Sequence, residues 1–151
     1  MKTLLMAIDN SPVAAKVIEL ATEQALAQQA QVLVLCCIDP AYTSCHQTIE
    51  IDAGEDAADF IAAEDEQNTA ELVVRRALAP LLQSGVIARG MILPGEAAET
   101  IISQAKKIDA SMIIMGRRHL SPFNRLLRGS VSAAVIERAD CPVLIDTRKD
   151  C

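Results

Sequence analysis

Five short apolar runs, each followed by turn-forming or small residues and separated by longer stretches with helical spacing, constrain this chain more than any other feature. Residues 3–8 (TLLMAI), 31–38 (QVLVLCCI), 86–93 (VIARGMIL), 110–115 (ASMIIM) and 142–145 (PVLI) read as strands buried on both faces. The first helix takes Ser11 as N-cap and Pro12 as its first residue, with Ala14, Val17, Ile18, Ala21 and Ala25 on one face. A second helix runs over about 57–83 and closes at Gly85 in the left-handed conformation. Pro94-Gly95-Glu96 turns the chain into a third helix at about 97–107, and residues 130–138 form a short last one. No hairpin dipeptide joins successive strands, so the connections are right-handed crossovers and the sheet is parallel, with helices on both faces. The expected fold is a three-layer, doubly wound α/β domain whose five-stranded parallel sheet has the order 3-2-1-4-5. It occupies residues 1–151 as one domain, with an irregular acidic loop at 41–59 and a tail at 148–151.

Composition limits both the core and the function. Half of the 151 residues are hydrophobic (51%), yet the aromatics number only Tyr42, Phe60 and Phe123, so the core must be aliphatic. A chain of this length buries roughly 70% of its unfolded surface, enough for a core without disulfide or metal staples. No apolar run approaches the ~18 residues of a membrane span, and Asp9 comes too early for a signal-peptide apolar region, so the chain is expected to be cytoplasmic. Cys36, Cys37, Cys45, Cys141 and Cys151 form no CxxC, and with only His46 and His119 there is no zinc-type cluster; free thiols are expected. The net charge of −6 and the scarcity of aromatics argue against broad nucleic-acid binding. Residues 50–71 hold nine of the 20 acids and no Lys or Arg, which reads as a solvated loop leading onto a helix face.

In a doubly wound sheet, ligands sit beyond the carboxyl ends of the strands where the strand order reverses. That directs attention to residues 7–11, 37–40, 93–96 and 115–132. The last of these, MGRRHLSPFNRLLRGSVS, carries the most chemistry. Gly116 ends a strand, where a missing side chain lets backbone approach a ligand. Gly129-Ser130 opens a helix whose free N–H groups favour an anion, and Ser130 and Ser132 add hydroxyl donors. Arg117, Arg118, Arg125 and Arg128 lie between them, and no acid occurs from residue 110 to 136. Two readings follow from the residues alone: an anion held near Gly129, or a loop whose arginines are solvated or meet acids of another subunit.

Gly116, His119 and Gly129-Ser130 occupy the positions of a G-x2-G-x9-G-[S/T] pattern, with His119 where the second glycine belongs. Together with Asp9 in AIDNS, the PGEAAETI stretch and GSVSAAVIERADCPVLI, they make residues 1–147 resemble the universal stress protein family. The resemblance implies an adenine-nucleotide site. Ala7, Ile8 and Asp9 match the strand end that meets the adenine side, and Cys37 matches the position whose backbone contacts the base. Met115 and Gly116 begin the ribose and phosphate loop, with Arg118 and His119 in its first turn. Gly129, Ser130, Val131 and Ser132 match the phosphate cradle. The implied ligand is ATP, with or without Mg2+, held by aliphatic strand ends and backbone without ring stacking.

Two functions remain open at this stage. A histidine at position 119 costs roughly 1 kcal/mol or more if the glycine is needed for positive φ, yet its ring could itself donate to phosphate. The chain is therefore either a stress-response protein that binds ATP as a regulatory ligand, or a homodimeric interaction protein with a degenerate site. No nucleophile elbow, Walker sequence or G-x-G-x-x-G fingerprint is present, so no dedicated catalytic apparatus is expected beyond slow ATP hydrolysis. The resemblance also implies a homodimer through the fifth strand, Pro142, Val143, Leu144 and Ile145, an apolar edge that a monomer would have to protect.

Overall fold

The strand at the middle of the sheet is the apolar run nearest the amino terminus. In the computed structural model, which describes residues 1–9, 13–38, 49–51, 66–117 and 131–148, this run forms β1 (Thr3–Ile8). Its side chains from Leu4 to Ile8 are all buried, as a strand covered on both faces requires. In chain order there follow α1 (Ala14–Gln28), β2 (Gln31–Ile38), β3 (Ile49–Ile51), α2 (Glu66–Gln83) and β4 (Ala88–Pro94). The chain then continues through α3 (Ala97–Lys107), β5 (Met112–Gly116), α4 (Val131–Arg138) and β6 (Val143–Asp146). The sheet order is β3-β4-β2-β1-β5-β6.

The five expected strands are β1, β2, β4, β5 and β6, all parallel and in the expected order 3-2-1-4-5. A sixth interrupts the stretch expected to be irregular: Ile49–Ile51 pairs antiparallel with β4, Glu50 opposite Met91. Three residues carry too little pattern to announce a strand, and only the open edge of β4 makes one of them. The other departures are short. The last strand includes Asp146, one residue beyond the expected apolar run. Helix α1 takes Val13 as its N-cap, with helical dihedrals and no side-chain cap bond, while Ser11 and Pro12 lie outside the described residues.

The period of two along the central strands divides the core into two aliphatic layers. Leu4, Met6, Val32 and Val34 face α1 and α2, where Val17, Ala21, Val74 and Leu81 pack on them. Leu5, Leu33, Leu35 and Ile113 face α3 and α4 and meet Ala98, Ile101 and Val135. The three aromatic residues all lie outside the described residues, so every described core side chain is aliphatic, Met or Cys.

Helix ends then set where the chain re-enters the sheet. Gly85 at φ 83 closes α2 as expected, with Gly85 N–H donating to Leu82 O and Val86 N–H to Leu81 O. The same paired bonds end α1 at Gln29 (φ 53) and α3 at Asp109 (φ 52). Each returns the chain to the amino edge of the sheet within two or three residues. All the functional candidates consequently lie at the other, carboxyl edge.

Candidate functional site

The cleft follows from unequal strand lengths. β1 stops at Ile8, paired with Cys36, whereas β2 runs on beside β4 with Cys37 opposite Leu93 and Ile38 opposite Pro94. β2 and β4 lie on one side of β1 and β5 and β6 on the other, so the strand order reverses beside β1. The space left there, about 580 Å³ and open to solvent, is floored by Ala7, Ile8, Asp9, Cys37, Met115 and Gly116. Val131, the first residue of α4, closes one wall.

Seven of the twelve site residues expected from sequence thus converge on one cleft. Ser132 is buried in the first turn of α4 and does not line it. Arg118, His119, Gly129 and Ser130 lie outside the described residues. The helix walls were not foreseen: Val13, Ala14 and Val17 of α1, and Ala97 and Ile101 of α3. The signal for them was available. A helix that follows a parallel strand starts at the carboxyl edge, so the apolar residues of its first turns, four apart here in both helices, must face the cleft.

Gly116, on the cleft floor, also has a packing role. A Cβ on it would stand 3.0 Å from Val17 Cγ2 and 3.3 Å from Val13 Cγ2. The missing side chain therefore seats α1 against the end of β5, and the cleft owes one wall to that close approach.

Charge is distributed unevenly around the rim. Glu96 caps α3 with both carboxylate oxygens, accepting from Ala98 N–H (3.1 Å) and Glu99 N–H (2.8 Å). The amino end of α3 is thereby satisfied by the chain's own carboxylate and is not available to an incoming anion. Burial, reinforced by the neighbouring Cys36 and Glu96 charges, pushes the Cys37 thiol up to about 12, so it is protonated at neutral pH. Its Sγ points to Ala97 O at 4.0 Å, a weak S–H donor in an apolar wall and not a nucleophile. Cys36, Cys37 and Cys141 are free thiols, as expected. Among the described residues, no group of three or more His, Cys, Asp or Glu could hold a metal ion, and no helix is long and apolar enough to cross a membrane.

The fold and the cleft define a doubly wound α/β protein with an open crevice at its switch point. The chain belongs to the universal stress protein family, whose model matches residues 1–146. It is 31% identical to universal stress protein YxiE of Bacillus subtilis over 143 residues, covering 94% of this chain and 96% of that protein. A universal stress protein of Thermus aquaticus is 32% identical over 144 residues, covering 95% and 97%. Among solved structures, a universal stress protein from Archaeoglobus fulgidus superposes with a TM-score of 0.71 at 21% identity, covering 97% of this chain and 99% of that one. A universal stress protein in complex with cAMP gives 0.70 at 19% identity over 98% of both chains. The Archaeoglobus fulgidus protein in complex with dAMP gives 0.67 at 21% identity, covering 97% and 98%.

Proposed function

We propose that this chain binds an adenine nucleotide, ATP with or without Mg2+, in the cleft beside β1, and serves in the cytoplasm as a regulatory protein of the stress response. One observation carries this reading: Ala7, Ile8, Asp9, Cys37, Met115, Gly116 and Val131, separate in sequence, line a single crevice. Family membership supports it, as do the cAMP and dAMP complexes of proteins with this fold. The walls suit a purine base, with aliphatic side chains for its faces and strand-end backbone for its polar edge. Residues 116–132 hold four arginines and no acid, a segment of charge +4 in a chain of net −6, which favours a phosphate-bearing ligand. The reading is of a binder with at most slow ATP hydrolysis: the Cys37 thiol is held protonated, and among the described residues that line the cleft Asp9 is the one carboxylate.

Protein purified from the cytoplasmic fraction is expected to release an adenine nucleotide on denaturation and, once stripped, to bind ATP in titration calorimetry. Absence of heat up to millimolar ATP, cAMP and AMP would sink the reading.

The homodimer belongs to the same proposal. β6 is the last strand of the sheet, and Val143, Leu144 and Ile145 on it are half-buried in the single chain, leaving an apolar edge for a second copy. Sedimentation at micromolar concentration should give twice the 16.2 kDa chain mass. A monomer-sized boundary at all concentrations would exclude a β6 dimer.

A further inference from the structure

At the end of β6, one residue pair fastens three parts of the molecule that meet at the cleft. Asp146 lies opposite Gly116 in the strand register, and its backbone carbonyl accepts from Arg117 N–H at 3.0 Å. The first residue of the arginine-dense loop is therefore held by the strand. The Asp146 side chain is only 4% exposed, covered in part by an Arg148 guanidinium that is itself 54% exposed. Oδ1 accepts from Arg148 N–H at 3.0 Å and from Nε at 2.9 Å, while Oδ2 accepts from Nη2 at 2.7 Å. The same Nη2 donates to Lys16 O at 3.2 Å, in the α1 turn between Val13 and Val17. Those two valines wall the cleft and fill the space above Gly116.

We propose that Asp146 and Arg148 are positioning residues for the nucleotide cleft, their side chains clamping α1 to the end of β6. This rests on the nucleotide reading above. A buried ion pair is a poor stabiliser, because desolvation offsets much of its attraction and an apolar pair of similar volume does as well or better. A bidentate Arg–carboxylate fork does something a valine cannot, which is to fix direction as well as distance. Here that direction leads to a backbone carbonyl of the helix that forms the cleft wall. The clamp stays closed at neutral pH: hydrogen bonds from Arg148 hold the Asp146 carboxyl below the usual carboxylate range, and Lys16 adds to this. The same hydrogen bonds to Asp146 favour the charged Arg148 guanidinium, and the Glu19 and Glu23 charges of α1 add to this.

The test compares AMP affinity by calorimetry with stability by urea denaturation for Asp146→Val, Arg148→Ala and the double variant. The expected result is AMP binding weakened about tenfold in each single variant and no further in the double, the signature of two residues acting as one unit. Stability of Asp146→Val should be unchanged or higher, which separates positioning from simple support. AMP affinity equal to wild type in the folded variants would overturn the clamp, as would full additivity in the double. Arg148→Ala strands the buried Asp146 carboxylate and is expected to lose stability, whereas the double variant removes both charges and keeps the test open if a single variant folds poorly. Wild-type protein that binds none of ATP, cAMP and AMP brings down the nucleotide reading and this proposal together, whereas binding that all variants retain removes the clamp alone.

Discussion

Gly116→Val is expected to abolish measurable AMP binding, whereas Gly116→Ala should weaken it only modestly. The difference is steric. The glycine has an ordinary backbone conformation, since the positive φ values among the described glycines are those of Gly85 and Gly95, so a side chain is permitted by the backbone itself. A single Cβ would sit 3.0 Å from Val17 Cγ2, a contact relieved by a shift of a few tenths of an ångström. Two more methyl groups cannot be absorbed so cheaply, and overpacking of this kind costs about 1–3 kcal/mol. The least constrained response is for α1 to ride away from β5, carrying Val13 and Val17 with it and spoiling the wall they form. Calorimetry with AMP on both variants, with urea denaturation in parallel, checks the expectation. Gly116→Val binding AMP like wild type would show that the close approach of α1 has no bearing on the site.

Gly95→Ala should destabilise the domain by about 2–4 kcal/mol, from an unfavourable φ combined with a clash. Gly95 has φ 141, where side chains are rarely found, and an added Cβ would lie 2.6 Å from Thr100 Oγ1. The turn has little freedom to relax, because Gly95 N–H donates to Ile38 O at 2.9 Å and Glu96 immediately caps α3. The two contributions can be separated in a Thr100→Ala background, where the clash is gone and only the backbone cost remains. Urea denaturation should show a smaller but still clear loss there. A Gly95→Ala protein within about 0.5 kcal/mol of wild type, the scale of a neutral surface change, would refute both contributions.

The strands were legible because a parallel strand covered on both faces must be apolar throughout, and five such runs could be counted directly. The doubly wound architecture then followed from the absence of hairpin turns, and with it the edge at which a ligand belongs. β3 was not legible, since Ile49–Ile51 is a strand only because β4 offers it an unpaired edge. In the site, the strand-end residues were found because they abut turns, but Val17 was placed only on a helix face, and Val13, Ala97 and Ile101 were not singled out. Arg148 fell in the expected tail and Asp146 just beyond the expected last strand. Two residues apart on an extended chain they share a face, and their opposite charges were the available signal.

By itself, then, the sequence determined the five parallel strands and the helices between them, the aliphatic character of the core and the end of the sheet that carries the crevice. These depend on burial patterns that repeat over a few residues and need no knowledge of distant partners. Tertiary structure decided which surfaces close on that crevice. The space above Gly116 goes to Val13 and Val17 of α1, and the Arg148 guanidinium reaches Lys16 O across 132 positions of chain. Such contacts depend on the relative placement of segments brought together only by folding, and local hydrophobic period carries no record of it.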